Sequence, residues 1–376
     1  MQDNFEDLAL HFKSQGQTDD YDKKFEQKVE KDVSDQIDSG YISFNEITDK
    51  PFSVREVNNC IKKLKTGKSA GPDLISNEII KYSGVVTCKC ITKLFNLILD
   101  SGIYPSNWRK SFIILIHKSG DKLDINNYRG ISLQNCLAKL FSSTLNSRLM
   151  NFYEEKFANQ QFGFRTNHRT TDSIFILKSL ITKYLVKKKS KMFACFVDLR
   201  RAFDTVWHDG ILYKLMQNGI GLKFFTIIKD MYKCCQSAVK IDNEYSDFFE
   251  IDRGVKQGDS LSPTLFNCFI NDIHSIFDDT CDLLCLQDTS INSLSFADDL
   301  VIFSETHTGL QSALDKLGNY CHKWQLTVNI KKTKIMVFQK GNIFTPVPQF
   351  FYKNNPLIVT NEYNYLGNII DNKGRF

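Results

Sequence analysis

The alternation of apolar and polar positions along the chain predicts a protein that mixes helices with strands. Apolar residues recur at helical spacing in stretches at about 53–65, 87–101, 134–155, 170–187 and 308–324. A further stretch, 260–277, has the same spacing and carries Pro263 in its predicted first turn, where a missing N–H does no harm. Unbroken apolar runs at 112–116 and 192–197 predict buried strands, and KIMVF (334–338) predicts a further strand. Helices and strands in mixed order indicate the α+β class.

The composition is that of an ordinary globular protein. Of the 376 residues, 42% are apolar and 24% are charged, a balance that excludes wholesale disorder. No apolar run has transmembrane length and the acidic start is not a signal peptide, so we expect no membrane partner and a location in the nucleus and cytoplasm. The 11 cysteines include no CxxC pair, which is typical of a reducing compartment. A zinc cluster of irregular spacing is an alternative use for Cys281, Cys285, Cys321 and His322.

Charge is distributed unevenly along the chain. Residues 1–40 carry 11 acidic and 5 basic side chains, a net charge of −6 against +5 for the whole chain, so the remainder carries +11. A basic body is typical of a protein with a polyanionic partner. We interpret residues 1–50 as an acidic, loosely packed leader. The run KKKSK (187–191) is interpreted as a solvated helix end, with a nucleic-acid patch or a nuclear signal as the alternative.

Two acidic sites lie at the edges of short apolar runs. In SFADDLVIF (295–303), Asp298 and Asp299 stand side by side, and Asp198 follows the predicted strand 192–197. A solvated hairpin tip would explain the first site, and a helix N-cap would explain the second. If the two strands are neighbours, however, three carboxylates converge. Such hard oxygen ligands suit Mg²⁺, and two such ions can promote an in-line displacement at phosphorus.

Several motifs follow one another in the order found in one family of polymerases. They are GKSAGPDLISNEIIK, INNYRGISLQN, QFGFRTNHRTTDSI, FVDLRRAFDTVWH, RGVKQGDSLSPTLFNCFIND, SFADDLVIF, NIKKTKIMVF and YLGNIID. On these motifs, which lie between residues 67 and 371, the sequence resembles the reverse transcriptases of non-LTR (LINE-like, jockey-type) retrotransposons. The resemblance implies a right-hand polymerase fold with fingers and palm, which agrees with the α+β class.

The resemblance also implies a reaction centre. Asp198, Asp298 and Asp299 match the family's catalytic aspartates, which bind two Mg²⁺ ions, with Mn²⁺ as an alternative. Lys332 would protonate the leaving pyrophosphate, and Lys334 in the same motif is the alternative for this role.

Substrate contacts follow from the same resemblance. Phe203 would lie under the incoming sugar and exclude a ribose 2′-hydroxyl, although a core phenylalanine is the alternative. Lys118 and Arg129 would grip the triphosphate, the lysine as a point charge and the arginine by its fork of donors. The remaining implied contacts are Gln257 and Gly258 with the nucleotide, Arg165 with template or nucleotide, and Tyr365, Leu366 and Gly367 as the primer grip.

The implied function is that of an RNA-directed DNA polymerase, which extends a DNA primer on an RNA template with deoxynucleoside triphosphates. The expected boundaries are 51–190 for a fingers-like region and 98–373 for the reverse transcriptase domain. Within that domain we expect the palm core at about 191–340 and the primer grip at about 357–371.

The sequence departs from the family in a few places. Gly130 stands where proline is usual, and Arg201 where lysine is commoner. An endonuclease region and a thumb are not recognised, so we expect a truncated polyprotein copy whose thumb is absent or truncated. A captured, non-catalytic RNA-binding protein and an intron-maturase-type reverse transcriptase are the alternative functions.

Overall fold

A computed structural model gives the structure of the chain. It describes residues 2–18, 20–38, 42–186, 191–242, 244–277, 284–286, 289–340 and 348–376. The chain forms two compact units that interleave along the sequence. Unit 1 consists of Met1–Gln17, Lys24–Glu155 and Phe203–Phe269, and unit 2 of Thr18–Lys23, Lys156–Ala202 and Ile270–Phe376.

The helices and strands have the following bounds. The helices are α1 Gln2–Ser14, α2 Lys23–Asp38, α3 Val54–Lys62, α4 Asn77–Lys81, α5 Gly84–Ser101, α6 Cys136–Tyr153, α7 Thr170–Val186, α8 His208–Gln217, α9 Leu222–Tyr232, α10 Ser262–Ile270 and α11 His307–Lys323. The strands are β1 Lys110–His117, β2 Tyr128–Gln134, β3 Lys191–Asp198, β4 Cys235–Ile241, β5 Glu244–Tyr245, β6 Phe249–Ile251, β7 Leu284–Leu286, β8 Thr289–Ile291, β9 Ser293–Phe296, β10 Asp299–Ser304, β11 Lys334–Gln339, β12 Phe351–Tyr352, β13 Asn355–Pro356, β14 Ile358–Val359, β15 Glu362–Tyr365 and β16 Asn368–Asp371.

The mixture of helices and strands confirms the α+β class. One predicted element is corrected, because the helix expected over 260–277 ends at Ile270 and continues only as short 3-10 turns. The polar side chains that follow are bonded outside a helix: Asn271 Nδ2 donates to the carbonyl of Lys156 (2.8 Å), and Asp272 Oδ1 accepts from the hydroxyl of Tyr320 (2.7 Å). These bonds fix the chain in a path that a continuous helix could not follow.

Unit 1 is built around a sheet in which β1 pairs with β2 antiparallel and with β4 in parallel. Strands β5 and β6 both pair with β4. One face of this sheet is covered by α1, whose Phe12 packs on Ile113 and Val239. Val29 and Val33 of α2 are also buried. Apolar anchors therefore hold parts of the acidic leader, although its polar composition gave no sign of them.

Unit 2 is built around a sheet with the strand order β14-β11-β3-β10-β9. The central strand β3 is buried from Met192 to Val197 because helices α7 and α11 both contact it. Continuous burial explains why this strand reads as an unbroken apolar run. The hairpin β15–β16 adds Tyr365 and Ile370 to the same core. The sheet therefore places the end of β3 beside two neighbouring strands and a hairpin.

Candidate active site

The pairing of β3 with β10 brings two of the predicted aspartates together. The strands run antiparallel, and Asp299, the first residue of β10, is the direct partner of Asp198, the last residue of β3. Phe196 and Val301, the next partners on the same face, belong to the buried core. Asp298 precedes Asp299 in the turn between β9 and β10. The apolar face of the sheet thus ends in carboxylates, as expected if the two strands are neighbours.

The electrostatics of this end of the sheet fit a bound cation. Burial of the carboxyl group, together with the charges of Asp298 and Asp198, raises the pKa of Asp299 from 3.8 to about 6. The negative charges of the two neighbouring carboxylates disfavour a further negative charge at Asp299. Mutually repelling carboxylates are a donor set that a divalent cation neutralises.

The carboxylates do not form a complete metal cage. Among the described residues, no group of three or more His, Cys, Asp or Glu side chains is arranged to hold a metal ion. This arrangement is compatible with Mg²⁺, which usually takes one or two protein carboxylates and completes its shell with water and phosphate oxygens.

The loop before β11 supports Asp198 through its backbone. Asn329 donates its N–H to the carbonyl of Asp198 (2.8 Å), and Asp198 donates its own N–H to Oγ1 of Thr333 (3.2 Å). Lys332, in this loop, is exposed, whereas Lys334 lies within β11 opposite Phe196. The sequence interpretation missed Asn329 and Thr333, because neutral residues in a lysine-rich motif carry no chemical signal of their own.

The predicted primer grip lies on the turn of the β15–β16 hairpin. Leu366 and Gly367 both have positive φ angles (49° and 83°), the pattern of a type I′ turn. Tyr363 of the same hairpin stacks on Phe196, with ring centroids 4.3 Å apart. Burial, followed by the charges of Asp299 and Asp198, raises the pKa of Tyr363 to about 12. The hairpin is therefore close enough to the aspartates to sense their charge.

The side chain of Arg165 makes hydrogen bonds to the backbone of the protein. Its guanidinium donates to the carbonyl oxygens of Ala158 (3.0 Å) and Gln161 (3.1 Å) and lies over the ring of Phe157. These bonds shape the loop that follows Gln161. The contact of Arg165 with template or nucleotide stays a prediction.

The residues predicted to hold the nucleotide lie in unit 1. Lys118 follows β1 and Arg129 lies in β2, where both are exposed at the same end of the hairpin. Arg129 pairs with Ile116, two residues before Lys118, so its side chain shares a face with the position of Lys118. A common face is what two cations would need in order to hold one triphosphate.

Gln257 and Gly258 lie against β2. The carbonyl of Gln257 accepts from the N–H of Ser132 (2.8 Å), and its side-chain amide donates to Asp204 Oδ1 (2.6 Å). Gly258 has a φ of 104°, a conformation in which any side chain would be strained, and a Cβ there would lie 3.2 Å from Ile131. The glycine is needed for the backbone turn itself.

Phe203 is half-buried and stacks on Phe266, with centroids 4.4 Å apart. One side of its ring is therefore supported by the core, which fits both the core role and the sugar-facing role considered from the sequence.

Two other interpretations from the sequence concern metal and charge. Burial raises the pKa of the Cys321 thiol to about 12, which disfavours the thiolate that zinc requires. Cys281 and most of the run KKKSK lie outside the described residues.

None of the helices in the described part of the chain combines the length and apolar content needed to span a membrane.

Comparison with known proteins identifies the family. The profile described as "Reverse transcriptase (RNA-dependent DNA polymerase)" matches residues 116–370, which is more than half of the chain. The chain belongs to the reverse transcriptase family. The predicted resemblance to its non-LTR members is confirmed by the relatives that follow.

The names of these relatives refer to mobile elements, transposons and retrotransposable elements. The chain is 30% identical to "RNA-directed DNA polymerase from mobile element jockey" of Drosophila funebris, covering 85% of this chain and 35% of that protein. It is 31% identical to "Probable RNA-directed DNA polymerase from transposon BS" of Drosophila melanogaster, covering 76% of this chain and 32% of that one. An R2 "Retrovirus-related Pol polyprotein" of Nasonia vitripennis is 27% identical over 74% of this chain and 28% of that protein. The chain thus spans about a third of the curated relatives it matches.

The raised pKa of Asp299 predicts that Asp299→Asn stabilises the metal-free protein. Folding raises the pKa of the Asp299 carboxyl group above 3.8, so ionisation of this group opposes folding. The resulting loss in the free energy of unfolding is absent below about pH 4 and grows as pH rises through about 6. In EDTA at pH 7.5 we expect the substitution to raise the free energy of unfolding by up to about 1 kcal/mol, since the side chain is exposed. Denaturant unfolding measures it, with the same variant at pH 4 as the control. A loss of stability at pH 7.5 would contradict repulsion among the three carboxylates.

Proposed function

We propose that the chain is the polymerase part of an RNA-directed DNA polymerase of a non-LTR retrotransposon. Its substrates would be deoxynucleoside triphosphates, an RNA template and a DNA primer, and it would act in the nucleus or the cytoplasm without a membrane partner. The observation that carries the proposal is the direct opposition of Asp198 and Asp299 across β3 and β10, with Asp298 in the adjoining turn. Family membership supports the class of reaction.

In unit 2, the proposed role of Asp198, Asp298 and Asp299 is to hold two Mg²⁺ ions, or Mn²⁺ in their place. When bound, such ions favour attack by a hydroxyl oxygen and offset charge on the leaving oxygen. The chain itself contributes the carboxylate oxygens, and the pairing register of β3 with β10 sets their positions. Exposed Lys332 is proposed to donate a proton to the leaving pyrophosphate, and Tyr365, Leu366 and Gly367 to support the primer end.

In unit 1, the proposed role of exposed Lys118 and Arg129 is to bind the triphosphate. Gln257 and Gly258 would meet the nucleotide, and the ring of Phe203 would pack under its sugar. Stacking on Phe266 supports this last role, because a ring held on one face by the core can act as a fixed steric barrier on its edge.

Substitution of the β3 aspartate tests the reaction centre. Asp198→Asn keeps the side-chain volume and removes a charged ligand, so we expect primer extension on an RNA template with Mg²⁺ to fall by about 1,000-fold or more. Asp315→Asn, an exposed position on α11, is the matched control and should leave extension unchanged. Appreciable extension by Asp198→Asn would refute the assignment, whereas template binding with no extension by the unmodified chain would favour the RNA-binding alternative.

Phe203→Ala tests sugar selection. Removal of the ring opens space at the 2′ position, so the ratio of kcat/KM for ribonucleotides to that for deoxynucleotides should rise by about 10-fold or more. Single-nucleotide incorporation on the same template gives both constants, and Phe203→Tyr, which keeps the ring, is the control. An unchanged ratio for the alanine variant would return Phe203 to a core role.

Arg129→Ala and Lys118→Ala test the triphosphate grip. Each variant loses a charge-assisted contact, so the KM for nucleotide should rise by about 10-fold or more while template–primer affinity changes little. Lys122→Ala, in the same β1–β2 connection, is the matched control for loss of one positive charge. A larger effect on template–primer affinity than on KM would instead make these residues contacts to the nucleic-acid backbone.

A further inference from the structure

The turn that carries Asp298 has an unfavourable backbone. Only two residues, Ala297 and Asp298, join β9 to β10, because Phe296 is the direct partner of Asp299. The φ angle of Ala297 is +58°, and Ala297 is the only one of these two residues with a positive φ, the pattern of a type II′ turn. Glycine is preferred at this position, since a Cβ atom strains the left-handed conformation. Some other contact must therefore hold Ala297 in place.

That contact is the side-chain amide of Gln161. Its Oε1 accepts from the N–H of Ala297 (2.9 Å), and its Nε2 donates to the carbonyl of Ala297 (3.3 Å). Both side chains are buried, Gln161 with 1% of its surface exposed and Ala297 with 4%. If the peptide groups of Ala297 rotated towards a relaxed φ, these bonds would break and buried polar groups would lose their partners.

Gln161 is itself held against β9 by the backbone around it. Phe162 donates its N–H to the carbonyl of Ser295 (2.9 Å), and Ser295 donates to the carbonyl of Gln160 (2.9 Å). The N–H of Gly163 donates to Oε1 of Gln161 (2.8 Å), which fixes the orientation of the amide. A Cβ on Gly163 would collide with the backbone of Ala297. The residues of the QFG segment thus act together to bring one amide to one strained turn.

We propose that Gln161 is a positioning residue of the polymerase reaction, an inference that rests on the function proposed above. It makes no contact of its own with reacting atoms. It holds Ala297 so that Asp298, and Asp299 after it, keep a fixed position beside Asp198. Glutamine suits this role because one neutral side chain supplies both the donor and the acceptor that the backbone of Ala297 needs.

The experiment uses the full 376-residue chain and the variant Gln161→Met, which keeps side-chain size and removes both bonds to Ala297. In primer extension, we expect kcat to fall by about 10- to 100-fold, because small misplacements of reacting groups have effects of this size. The KM for nucleotide should stay within about twofold, since triphosphate contacts are untouched. Binding of Mn²⁺, followed by the EPR signal of the free ion, should weaken, and amide hydrogen exchange in a peptide containing Ala297 should accelerate.

Two further variants separate positioning from general packing. Gln134→Met, a buried glutamine on β2 in unit 1, is the matched control and should leave kcat and Mn²⁺ binding unchanged. Ala297→Gly removes the need for the clamp, because glycine adopts a positive φ without strain. Combined with Gln161→Met, it should restore at least half of the lost Mn²⁺ affinity and of log kcat.

The outcomes distinguish this inference from the proposed function. An inactive unmodified chain would count against the function alone, because Mn²⁺ binding and hydrogen exchange would still test the clamp. If Gln161→Met lowers only the melting temperature, with Mn²⁺ affinity and exchange at Ala297 unchanged, the clamp is overturned. It is also overturned if Ala297→Gly fails to restore either quantity in the double variant. If Gln161→Met does not fold, folding of the double variant would support the clamp and its failure to fold would refute it.

Discussion

The antiparallel pairing of β3 with β10 is the constraint on which the candidate site depends. Side chains alternate between the faces of a strand, so a shift of the pairing by one residue would send Asp299 to the face opposite Asp198. The register is held by the partners that follow the aspartates, Val301 with Phe196 and Phe303 with Ala194, all of which are buried in one core. The packing of apolar side chains thereby determines where the charges stand.

This register brings like charges together, and neutral groups bond to the backbone on both sides of them. On the β3 side, Asn329 and Thr333 bond to the backbone of Asp198. On the β10 side, Gln161 bonds to the backbone of Ala297. All three side chains are neutral, so they hold the backbone beside the carboxylates without adding a charge of their own.

The sequence predicts those elements whose burial follows a simple period. β3 is buried on both faces and reads as an unbroken apolar run, and α11 has clear helical spacing. β2 was not predicted, because its sequence YRGISLQ includes a glycine and polar residues, and its place in the sheet depends on pairing with β1. The helix expected over 260–277 fails at Asn271, where side-chain bonds to distant residues decide the path.

In the candidate site, too, some residues can be recognised from the sequence around them, whereas others depend on contacts with residues far away in the chain. The aspartates were found because acidic residues at the edges of apolar runs require a chemical reason. The bonds of Gln161 were beyond prediction, because its partner Ala297 lies 136 residues away and a neutral amide has no distinctive sequence signal. The sequence alone thus reveals charged residues that stand at the edges of apolar runs. The contacts that hold that charge become visible only when the chain is folded.

The parallel pairing of β1 with β4 has a consequence for how the protein is made. Ser111 and Ser237 share a hydrogen bond across these strands, yet they are 126 residues apart. At a synthesis rate of about 5–20 residues per second, β4 leaves the ribosome roughly 6–25 s after β1. During that time β1 can pair with β2, but its other edge presents open backbone groups to any passing strand. For this chain, the interval between the synthesis of β1 and that of β4 is a time in which β1 is exposed to incorrect strand pairing.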